Sequence, residues 1–375
     1  MTVFTAMLLD AYRELNSKKL FWITLIISGM VVLSYGSIGF NEQGMSMLFG
    51  LKQVDSEFVN SETPWARALY MGIFSDFVVT IWMTWVAVIL ALISTCSIFP
   101  DFMAGGSIDV VLSKPISRWA LFGMKYLTSL LFVVLQVGLF CVGIFFCVGL
   151  RLGEWNWMIF AAIPLVTVFF SYLYGMCVLA GVLTRSSITA LLLTLLFWFS
   201  MWSIQTSEGL LNQFRVRFQI QAENAQTRID RMQTNLDSLA GKDDDASLRA
   251  RTDLEVRLND ARDSRDRHLE AESTLTPWHT PIRAVMTIMP KNAQTVALLS
   301  RWLKDPEGFS IVGMMRGDMM GSGTGAFENQ TEVEMTRRLE RELESISPWY
   351  IIGTSLGFEL VVLAGACVIF VRRDF

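Results

Sequence analysis

Few side chains in this chain have the type and spacing that metal or nucleotide chemistry requires. The two histidines, His268 and His279, lie in a long polar stretch that has no cysteine and no further histidine at zinc-ligand spacing. The glycine-rich cluster Gly321–Gly325 lacks the Lys-Ser/Thr pair of a phosphate-binding P-loop and follows no predicted strand. We therefore interpret this cluster as a linker and expect no catalytic residue, no metal site and no cofactor in this chain.

Two polar side chains lie inside long apolar runs and are the candidates for an intramembrane site. Glu359 falls near the middle of the last run, where a carboxylate costs about 2.5–3.5 kcal/mol to insert into a bilayer. It is expected to face a bundle interior or an aqueous path. There it would either accept a hydrogen bond from Ser or Thr of a neighbouring helix or contact a substrate directly. Gln136, in an earlier run, is expected to form a hydrogen bond between helices.

The composition is that of a protein whose helices cross a membrane. Of the 375 residues, 52% are hydrophobic and only 18% are charged, whereas about 25% are charged in soluble domains. Apolar runs of the length of a transmembrane helix recur along the chain. All five cysteines fall inside these runs, so we interpret them as small buried residues rather than as a disulfide framework.

The hydrophobic runs predict an all-α integral membrane protein with six transmembrane helices. The predicted spans are Leu20–Phe40, Met71–Ile98, Trp119–Leu150, Met158–Leu183, Ile188–Gln205 and Trp349–Val371. Before the first span, residues 1–16 carry apolar side chains at helical spacing, which predicts an amphipathic elbow helix lying in the membrane interface. The alternative is that residues 1–16 are the frayed start of the first span.

The distribution of basic residues predicts the orientation of these spans. The predicted cytoplasmic ends hold Arg13, Lys18, Lys19, Lys114, Arg118, Lys125, Arg185, Arg372 and Arg373. The short loops on the other side hold only Lys52, Arg67 and Arg151. Because Lys and Arg collect on the cytoplasmic side of short loops, we expect a multi-pass protein of the plasma (inner) membrane with both termini in the cytoplasm.

A long polar insertion, Thr206–Ser347, separates the fifth and sixth spans. The chain thus divides into a membrane part (1–205), the insertion (206–347) and the last span with its tail (348–375). Apolar residues recur every three or four positions from Gln213 to Leu269, around a turn at Gly241–Asp245. This pattern predicts an antiparallel helical hairpin that resembles a coiled coil. A solvated helical pair with a weak seam is the alternative.

The remainder of the insertion is predicted to be less regular. Pro277 and Pro281 are expected to end the hairpin, because proline removes a backbone donor from a helix. The moderately apolar stretch Ile282–Trp302, broken at Pro290, is expected to pack low against the spans. A charged helix is predicted at Glu332–Glu344.

The stretch Ile98–Lys125 is the one long polar interruption between the apolar runs of the first half. Its helix-breaking residues are Pro100, Gly105, Gly106 and Pro115. We interpret it as a cytoplasmic loop with a short helix at Ser107–Leu112, presented to a partner below the membrane. The alternative is an ordinary connector that carries positive charge on the cytoplasmic side.

Three separated pieces of the sequence resemble one family. They are YRELNSKKLFW at residues 12–22, GSIDVVLSKPISRWALFGMKYL at residues 106–127 and FVRRDF at residues 370–375. Together they are similar to the permease subunits of type-2 ATP-binding-cassette transporters, in which such a Leu-Ser-Lys-Pro run lies in the first cytoplasmic loop. The resemblance covers residues 1–205 and 348–375. The long insertion departs from it, since many relatives have only a short segment at that position.

The resemblance implies a transport subunit rather than an enzyme. It would move a substrate across or out of the membrane by alternating conformations, driven by a separate nucleotide-binding ATPase subunit that holds ATP and Mg²⁺. A second permease copy, in a homodimer or heterodimer, and a coupling helix in the first cytoplasmic loop are implied as well. The residues expected to couple to the ATPase are Phe99, Asp101, Gly106, Ser107, Ile108, Leu112, Lys114, Pro115 and Arg118.

Further partners follow from the insertion and the composition. The lipid membrane is one, and an extracytoplasmic protein bound by the hairpin is a second; no nucleic acid is expected. The alternative function is a non-transporting membrane scaffold or sensor whose coiled-coil ectodomain recruits a partner.

Overall fold

The computed structural model describes residues 19–55, 63–103, 117–153, 155–240, 244–303 and 326–373. The predicted elbow helix at residues 1–16, the predicted short helix Ser107–Leu112 and the linker Gly321–Gly325 lie outside the described residues. The described chain forms two compact units. The first contains residues 19–200, 289–303 and 348–373, and the second contains residues 201–288 and 326–347.

The first helix, α1 (Lys19–Gly36), is followed by a small antiparallel sheet that the sequence does not predict. Its elements are β1 (Gly39–Asn41), β2 (Gly44–Met47), a 3₁₀ turn (Leu48–Gly50) and β3 (Lys52–Asp55). The strand order is β1-β2-β3. The first span thus ends at Gly36 instead of Phe40, and the predominantly helical fold includes one small sheet in addition. Strands of three or four residues are too short for an alternation of apolar and polar side chains to be recognised.

The second membrane segment is a series of short helices rather than one uniform helix. They are α2 (Pro64–Gly72), a π-helical stretch (Ile73–Val86), α3 (Ala87–Thr95) and α4 (Ile98–Met103). α2 begins with Pro64 at its first position, where the missing N–H has no intrahelical partner to lose. Sustained π-helical hydrogen bonding is rare, and hydropathy, which predicts one span at Met71–Ile98, carries no signal for it.

The next two helices have clear start and stop signals. α5 (Arg118–Leu152) begins where the Ser117 hydroxyl accepts a hydrogen bond from the backbone N–H of Ala120 at 3.2 Å. It ends at Gly153, whose φ of 72° lies in the left-handed region that glycine adopts without strain. After a 3₁₀ turn at Trp157–Ala161, α6 (Ala162–Thr184) returns through the bundle.

Two long helices that contact each other occupy the region of the predicted hairpin and extend beyond it. α7 (Ser187–Ser238) is one helix of 52 residues that includes the fifth predicted span and the first arm of the hairpin. The second arm, α8 (Asp245–Ile288), has 44 residues. The prediction that Pro277 and Pro281 end the hairpin is wrong, because both lie inside α8.

A contact with α7 helps to explain why α8 continues through its prolines. A proline removes one backbone hydrogen bond and disturbs the carbonyl four residues earlier, which bends a helix but does not unfold turns that are held by other contacts. The turn before Pro277 is held by Glu272, whose carboxylate accepts a hydrogen bond from Gln219 of α7. Tertiary contacts of this kind are invisible to an argument from residue types alone.

Three further helices complete the described chain. They are α9 (Asn292–Leu303), α10 (Ala326–Ser345) and α11 (Pro348–Arg372). The predicted break at Pro290 is confirmed, since it separates α8 from α9. α9 packs against α6, α11 and the π-helical stretch, so this part of the predicted Ile282–Trp302 stretch does lie against the spans. α10 contains the predicted charged helix.

Within the described residues, six helices are long and apolar enough to cross a membrane, which is the number that hydropathy predicts. They are α1, the segment Ile81–Met103, α5, the 3₁₀ turn with α6, the first part of α7, and α11. The structure is therefore that of a largely helical, multi-pass membrane protein.

Glycines allow α1 and α5 to approach each other closely. A Cβ atom at Gly143 of α5 would lie 2.8 Å from Cγ1 of Val32, and one at Gly36 of α1 would lie 2.8 Å from Sγ of Cys147. Real Cβ atoms do not approach other heavy atoms so closely. Since lipid offers no hydrophobic drive for helices to associate, small residues that let backbones pack tightly supply much of the contact energy in a membrane.

The second unit contains three helices, one more than the predicted hairpin. Arg338 of α10 donates two hydrogen bonds to the carboxylate of Glu223 in α7, at 3.0 and 2.6 Å. α8 joins α7 through Arg265, which donates to Gln226 at 2.9 Å. The buried apolar residues among the described part of this unit are Met201, Val216, Ile220, Ala222, Ala225, Ile229 and Leu258.

The ion pair between α7 and α10 has an electrostatic consequence. The hydrogen bonds from Arg338 lower the pKa of the Glu223 carboxyl below its ordinary value. Arg338 is also held by Glu334 of its own helix at 3.1 Å, four residues earlier. The pair is largely exposed, with more than half of the Glu223 side chain accessible, so its contribution to stability is small.

Candidate functional site: a carboxyl group shared by three spans

Glu359 lies in the interior of the membrane bundle, with only 6% of its surface exposed. It belongs to α11, and its two oxygens are met by donors from two other helices. The hydroxyl of Tyr126 in α5 donates to Oε1. The hydroxyl of Ser171 in α6 donates to Oε2 at 2.7 Å. One carboxyl group therefore joins three membrane helices.

A second pair of hydroxyl groups lies beside this carboxyl group. The hydroxyls of Tyr174 and Ser129 are 2.6 Å apart. The ring of Tyr174 stacks on that of Tyr126, with centroids 5.6 Å apart, and on Phe170, with centroids 5.3 Å apart. Tyr174 and Ser129 are essentially inaccessible to solvent. The aromatic stack fixes the ring of Tyr126, so its hydroxyl is already placed for the carboxyl group.

The placement of Glu359 agrees with the energetics of the sequence argument. A carboxyl group in a bilayer is costly unless protein or water satisfies it, and here Tyr126 and Ser171 do so. A hydroxyl of a neighbouring helix is the kind of partner expected at a packing interface. Sequence reasoning did not identify Tyr126, because a tyrosine near the end of an apolar run resembles any other interfacial aromatic residue.

The chemistry open to this site is binding and hydrogen-bond exchange. A carboxyl group with two hydroxyl donors can release one of them to a ligand that supplies its own donor, if the three helices move apart. Among the described residues, no group of three His, Cys, Asp or Glu side chains is arranged to hold a metal ion. The two histidines are not near this site in sequence, and His268 instead stacks on Phe218 of the second unit, with ring centroids 6.2 Å apart.

Gln136 does not form the hydrogen bond that the sequence predicts. It is buried, with 3% of its surface exposed, and neither polar atom of its amide has a hydrogen-bond partner within the described part of the chain. Its neighbours one turn away on α5, Phe132 and Phe140, are buried apolar residues. The predicted interhelical hydrogen bond is therefore absent from the described part of the chain.

Lys291 is a buried cation that the sequence analysis did not single out. It lies between α8 and α9 with 6% of its surface exposed. Its Nζ lies 3.4 Å from the centre of the Tyr350 ring and donates to Oγ1 of Thr354 at 3.2 Å. Its backbone N–H donates to Oγ of Ser355 at 2.9 Å. These contacts tie the start of α9 to α11, one turn of helix before Glu359. The only signal in the sequence was its position directly after Pro290.

Three of the nine residues expected to couple to an ATPase lie in the described part of the chain, and their surroundings differ. Phe99 is buried, with 2% of its surface exposed, and its ring lies 5.0 Å from that of Phe122. Asp101 is exposed on α4. The remaining predicted positions before α5 lie outside the described residues; they are Gly106, Ser107, Ile108, Leu112, Lys114 and Pro115.

Arg118 contacts the end of the last span. Its Nη1 donates to the backbone oxygens of Val371 and Arg373, both at 3.0 Å. Arg373 in turn donates to the backbone oxygen of Val182, near the end of α6. We call these two arginines and their three acceptors the arginine clamp. Cations at helix C-termini satisfy carbonyl groups that have no intrahelical partner and interact favourably with the helix dipole.

The clamp and the carboxyl site involve the same three helices, α5, α6 and α11. The clamp joins them at one end of the bundle, and Glu359 joins them about 12 residues away along α11, or about 18 Å at 1.5 Å per residue. Hydrogen bonds therefore join these three helices at two levels of the bundle, one at the arginine clamp and one at Glu359.

Comparison of the chain with protein-family models, with curated proteins and with solved structures finds no match in any of the three. The class of the protein follows from the structure itself. It is a multi-pass helical membrane protein with a buried carboxyl group shared by three of its membrane helices.

Proposed function

We propose that this chain is the permease subunit of an ATP-binding-cassette transporter, which moves a substrate across or out of the membrane as a separate ATPase subunit drives it between conformations. The observation that carries the proposal is the arginine clamp. Arg118 is a basic residue within the family-like run at residues 106–127, and it is hydrogen-bonded to the end of α11. A force applied to the loop before Arg118 therefore reaches the last span directly.

The proposed cycle uses two arrangements of the same helices. In the described arrangement, the carboxyl group of Glu359 is closed by Tyr126 and Ser171. Displacement of α11 by the clamp would separate these donors from the carboxyl group and open it to a substrate group or to water. Only a partner that binds one arrangement more tightly than the other can shift their populations, and the closing ATPase supplies that difference.

This function requires a particular topology in the membrane. Both termini lie on the cytoplasmic side of the plasma membrane, and the insertion lies on the exoplasmic side. The arginine clamp is then cytoplasmic, within reach of an ATPase, and Lys291 lies toward the exoplasmic end of the bundle. Two permease copies and two ATPase copies form the complete transporter.

Cross-linking tests the proposed coupling. A cysteine at Ser107 or Ile108 in the full chain should cross-link to the P-loop ATPase that co-purifies with the chain from its native membrane. Matched cysteines at Ser186, in the short turn between α6 and α7, and at Ser187, the first residue of α7, serve as the control on the same side of the membrane. Cross-links at the control positions without cross-links at Ser107 or Ile108 would show that the coupling segment is wrongly assigned.

ATP turnover tests the division of labour. The sequence has no Gly-x-x-x-x-Gly-Lys-Ser/Thr motif, so the purified chain alone should not hydrolyse ATP. Purification from the native membrane should yield a complex in which a P-loop protein accompanies the chain, and this complex should hydrolyse ATP. Robust turnover by the single chain would contradict the proposal.

A non-transporting scaffold or sensor is the second candidate, and the second unit favours it. Its three helices place long charged faces in solvent, a surface suited to binding another protein. Gln219 meets Glu272 and Gln226 meets Arg265, and this register places Met232 opposite Asn259. Deleting residues 233–258 and joining the arms with a short turn would therefore keep these contacts.

The shortened chain separates the two candidates. If the chain is a transporter, the deletion should leave membrane insertion and ATPase binding intact, and only transport that needs an extracytoplasmic partner should be lost. If the chain is a scaffold, no ATPase should accompany it, and the deletion should abolish its only interaction. Failure of the shortened chain to assemble would show that the distal hairpin is part of the structural core or the subunit interface.

A further inference from the structure

The small sheet next to α1 carries a cluster of exposed apolar side chains. Leu48, Phe49 and Leu51 have 58, 66 and 89% of their surfaces exposed. We call residues 48–51 the apolar tip. Met47 and Val54 extend this surface on the two strands that flank the tip. Three large apolar residues within four positions are thus left without an apolar environment by the described part of the chain.

The register of the sheet shows that the two ends of the β1-β2-β3 ribbon differ in polarity. Gly39, three residues after the end of α1, pairs with Ser46, while Asn41 pairs with Gly44. The turn that contains Glu42 and Gln43 is therefore the end of the ribbon far from α1, and both of its side chains are exposed. The apolar tip follows Met47 and is the end near α1. The ribbon is thus polar away from the first span and apolar beside it.

Two contacts place the tip at the level where the first span ends. The backbone N–H of Phe49 donates to the oxygen of Ser37 at 3.1 Å, one residue after α1 ends. Arg151, in the last turn of α5, donates to the oxygen of Gly36 at 3.0 and 2.8 Å, and its guanidinium lies 5.8 Å from the centre of the Phe49 ring. The tip is therefore fixed beside the ends of two membrane helices.

The backbone of the tip is strained in a way that presents these side chains. Leu48 and Phe49 have φ values of 53° and 58°, in the left-handed region that residues with a bulky side chain seldom adopt. Strain of this kind persists where the surroundings impose it and is concentrated at functional surfaces. Asn or Gly at these two positions would form the same turn without strain. The needs of the turn and of packing therefore do not explain why Leu48 and Phe49 are large and apolar.

We propose that the apolar tip is a membrane-contact site that inserts into the lipid leaflet at the Gly36 end of α1. Leu48, Phe49 and Leu51 lie among the upper acyl segments, and Lys52 and Arg151 lie at the level of the lipid phosphates. The occupant is lipid rather than protein, because the tip lies where the bilayer surface must be if α1 spans it. Close to the same end of α1, the apolar side chain of Leu33 is also exposed, at 62%.

This inference depends on α1 being a membrane span and does not depend on the transport function. It is tested with the full-length chain in vesicles of phosphatidylcholine and phosphatidylglycerol. An environment-sensitive fluorophore is attached to Leu51→Cys, and to Gln43→Cys on the polar end of the same sheet as the matched control. The parent chain, labelled in parallel, gives the background from its five native cysteines. Because Leu51 is 89% exposed, the substitution removes no packing within the chain.

The expected result is a contrast between the two positions. Lipids brominated near the top of their acyl chains should quench the probe at Leu51 strongly, and aqueous iodide should quench it several-fold less than the probe at Gln43. Equal quenching of both probes by iodide would overturn the proposal. Protection of the Leu51 probe from iodide without quenching by brominated lipid would also overturn it, since a second copy or another protein would then cover the tip.

Discussion

The hydrogen bond between Tyr126 and Glu359 offers a quantitative test of the carboxyl site. Tyr126→Phe removes the hydroxyl and leaves Oε1 of a carboxyl group that is only 6% exposed without its donor. An unsatisfied buried acceptor costs about 1–3 kcal/mol, because it has lost water without gaining a partner. We therefore expect Tyr126→Phe to lower the free energy of unfolding by about 1–3 kcal/mol.

A double-mutant cycle isolates this interaction. In a Glu359→Leu background no carboxyl oxygen remains to be left unsatisfied, so Tyr126→Phe should cost much less, while its ring keeps its stack on Tyr174. The matched control is Tyr35→Phe. The Tyr35 hydroxyl is also buried but donates to the backbone oxygen of Tyr70 at 3.2 Å and shares no hydrogen bond with Glu359. Its cost should be the same in both backgrounds to within about 0.5 kcal/mol.

The measurement is the free energy of unfolding of the purified chain in mixed micelles, titrated with a denaturing detergent. The size of the coupling free energy between the two substitutions indicates whether the Glu359 carboxyl group is charged or neutral. A coupling of about 1.5–3 kcal/mol is expected for a charged acceptor and about 0.5–1.5 kcal/mol for a neutral one. If Tyr126→Phe costs the same in both backgrounds, the two side chains do not interact, and the argument for a carboxyl group shared by three helices fails.

Three further predictions concern the packing, the second unit and the clamp. Gly143→Leu should lower the free energy of unfolding by about 1–3 kcal/mol through overpacking, whereas Gly123→Leu, at a position with no neighbour within 4 Å, should change it little. The ion pair of Glu223 should stabilise the fold above about pH 4.3, and this stabilisation should be lost as the pH falls through the lowered pKa of that carboxyl. Glu223→Gln should remove this part of the pH dependence, which amounts to at most about 1 kcal/mol of unfolding free energy. Arg118→Ala should lower the thermal midpoint by leaving two carbonyl groups without a donor, and Arg372→Ala, at an exposed position, should not. Equal effects of the two arginine substitutions would contradict the clamp.

The positions of the membrane helices could be predicted from the sequence because the bilayer imposes a simple rule. Any backbone in lipid must satisfy its own hydrogen bonds, so long apolar runs become helices. That rule has no equivalent for the segment after α1, where strands of three or four residues form the sheet. The same rule does not specify the hydrogen-bond register, so the π-helical stretch Ile73–Val86 could not be predicted from its apolar side chains.

The candidate site could be predicted only in part. Glu359 is conspicuous because a carboxyl group in an apolar run is costly. Its partners Tyr126 and Ser171 are 233 and 188 residues away in the sequence. Nothing local to a tyrosine or a serine in a membrane helix shows that it will meet a carboxyl group. Lys291 was missed for a related reason, since its burial depends on Tyr350 and Thr354 of a helix that comes later in the chain.

The acceptors of the arginine clamp are all main-chain oxygens, those of Val182, Val371 and Arg373. The donors, in contrast, are side chains. A comprehensive substitution screen should therefore be asymmetric at this end of the bundle. Position 371 should accept many apolar residues and the buried position 182 those of similar size, while Arg118 and Arg373 should accept few substitutions. The same asymmetry bears on protein engineering, because any segment inserted next to Arg373 would lie beside a side chain that holds two helices together.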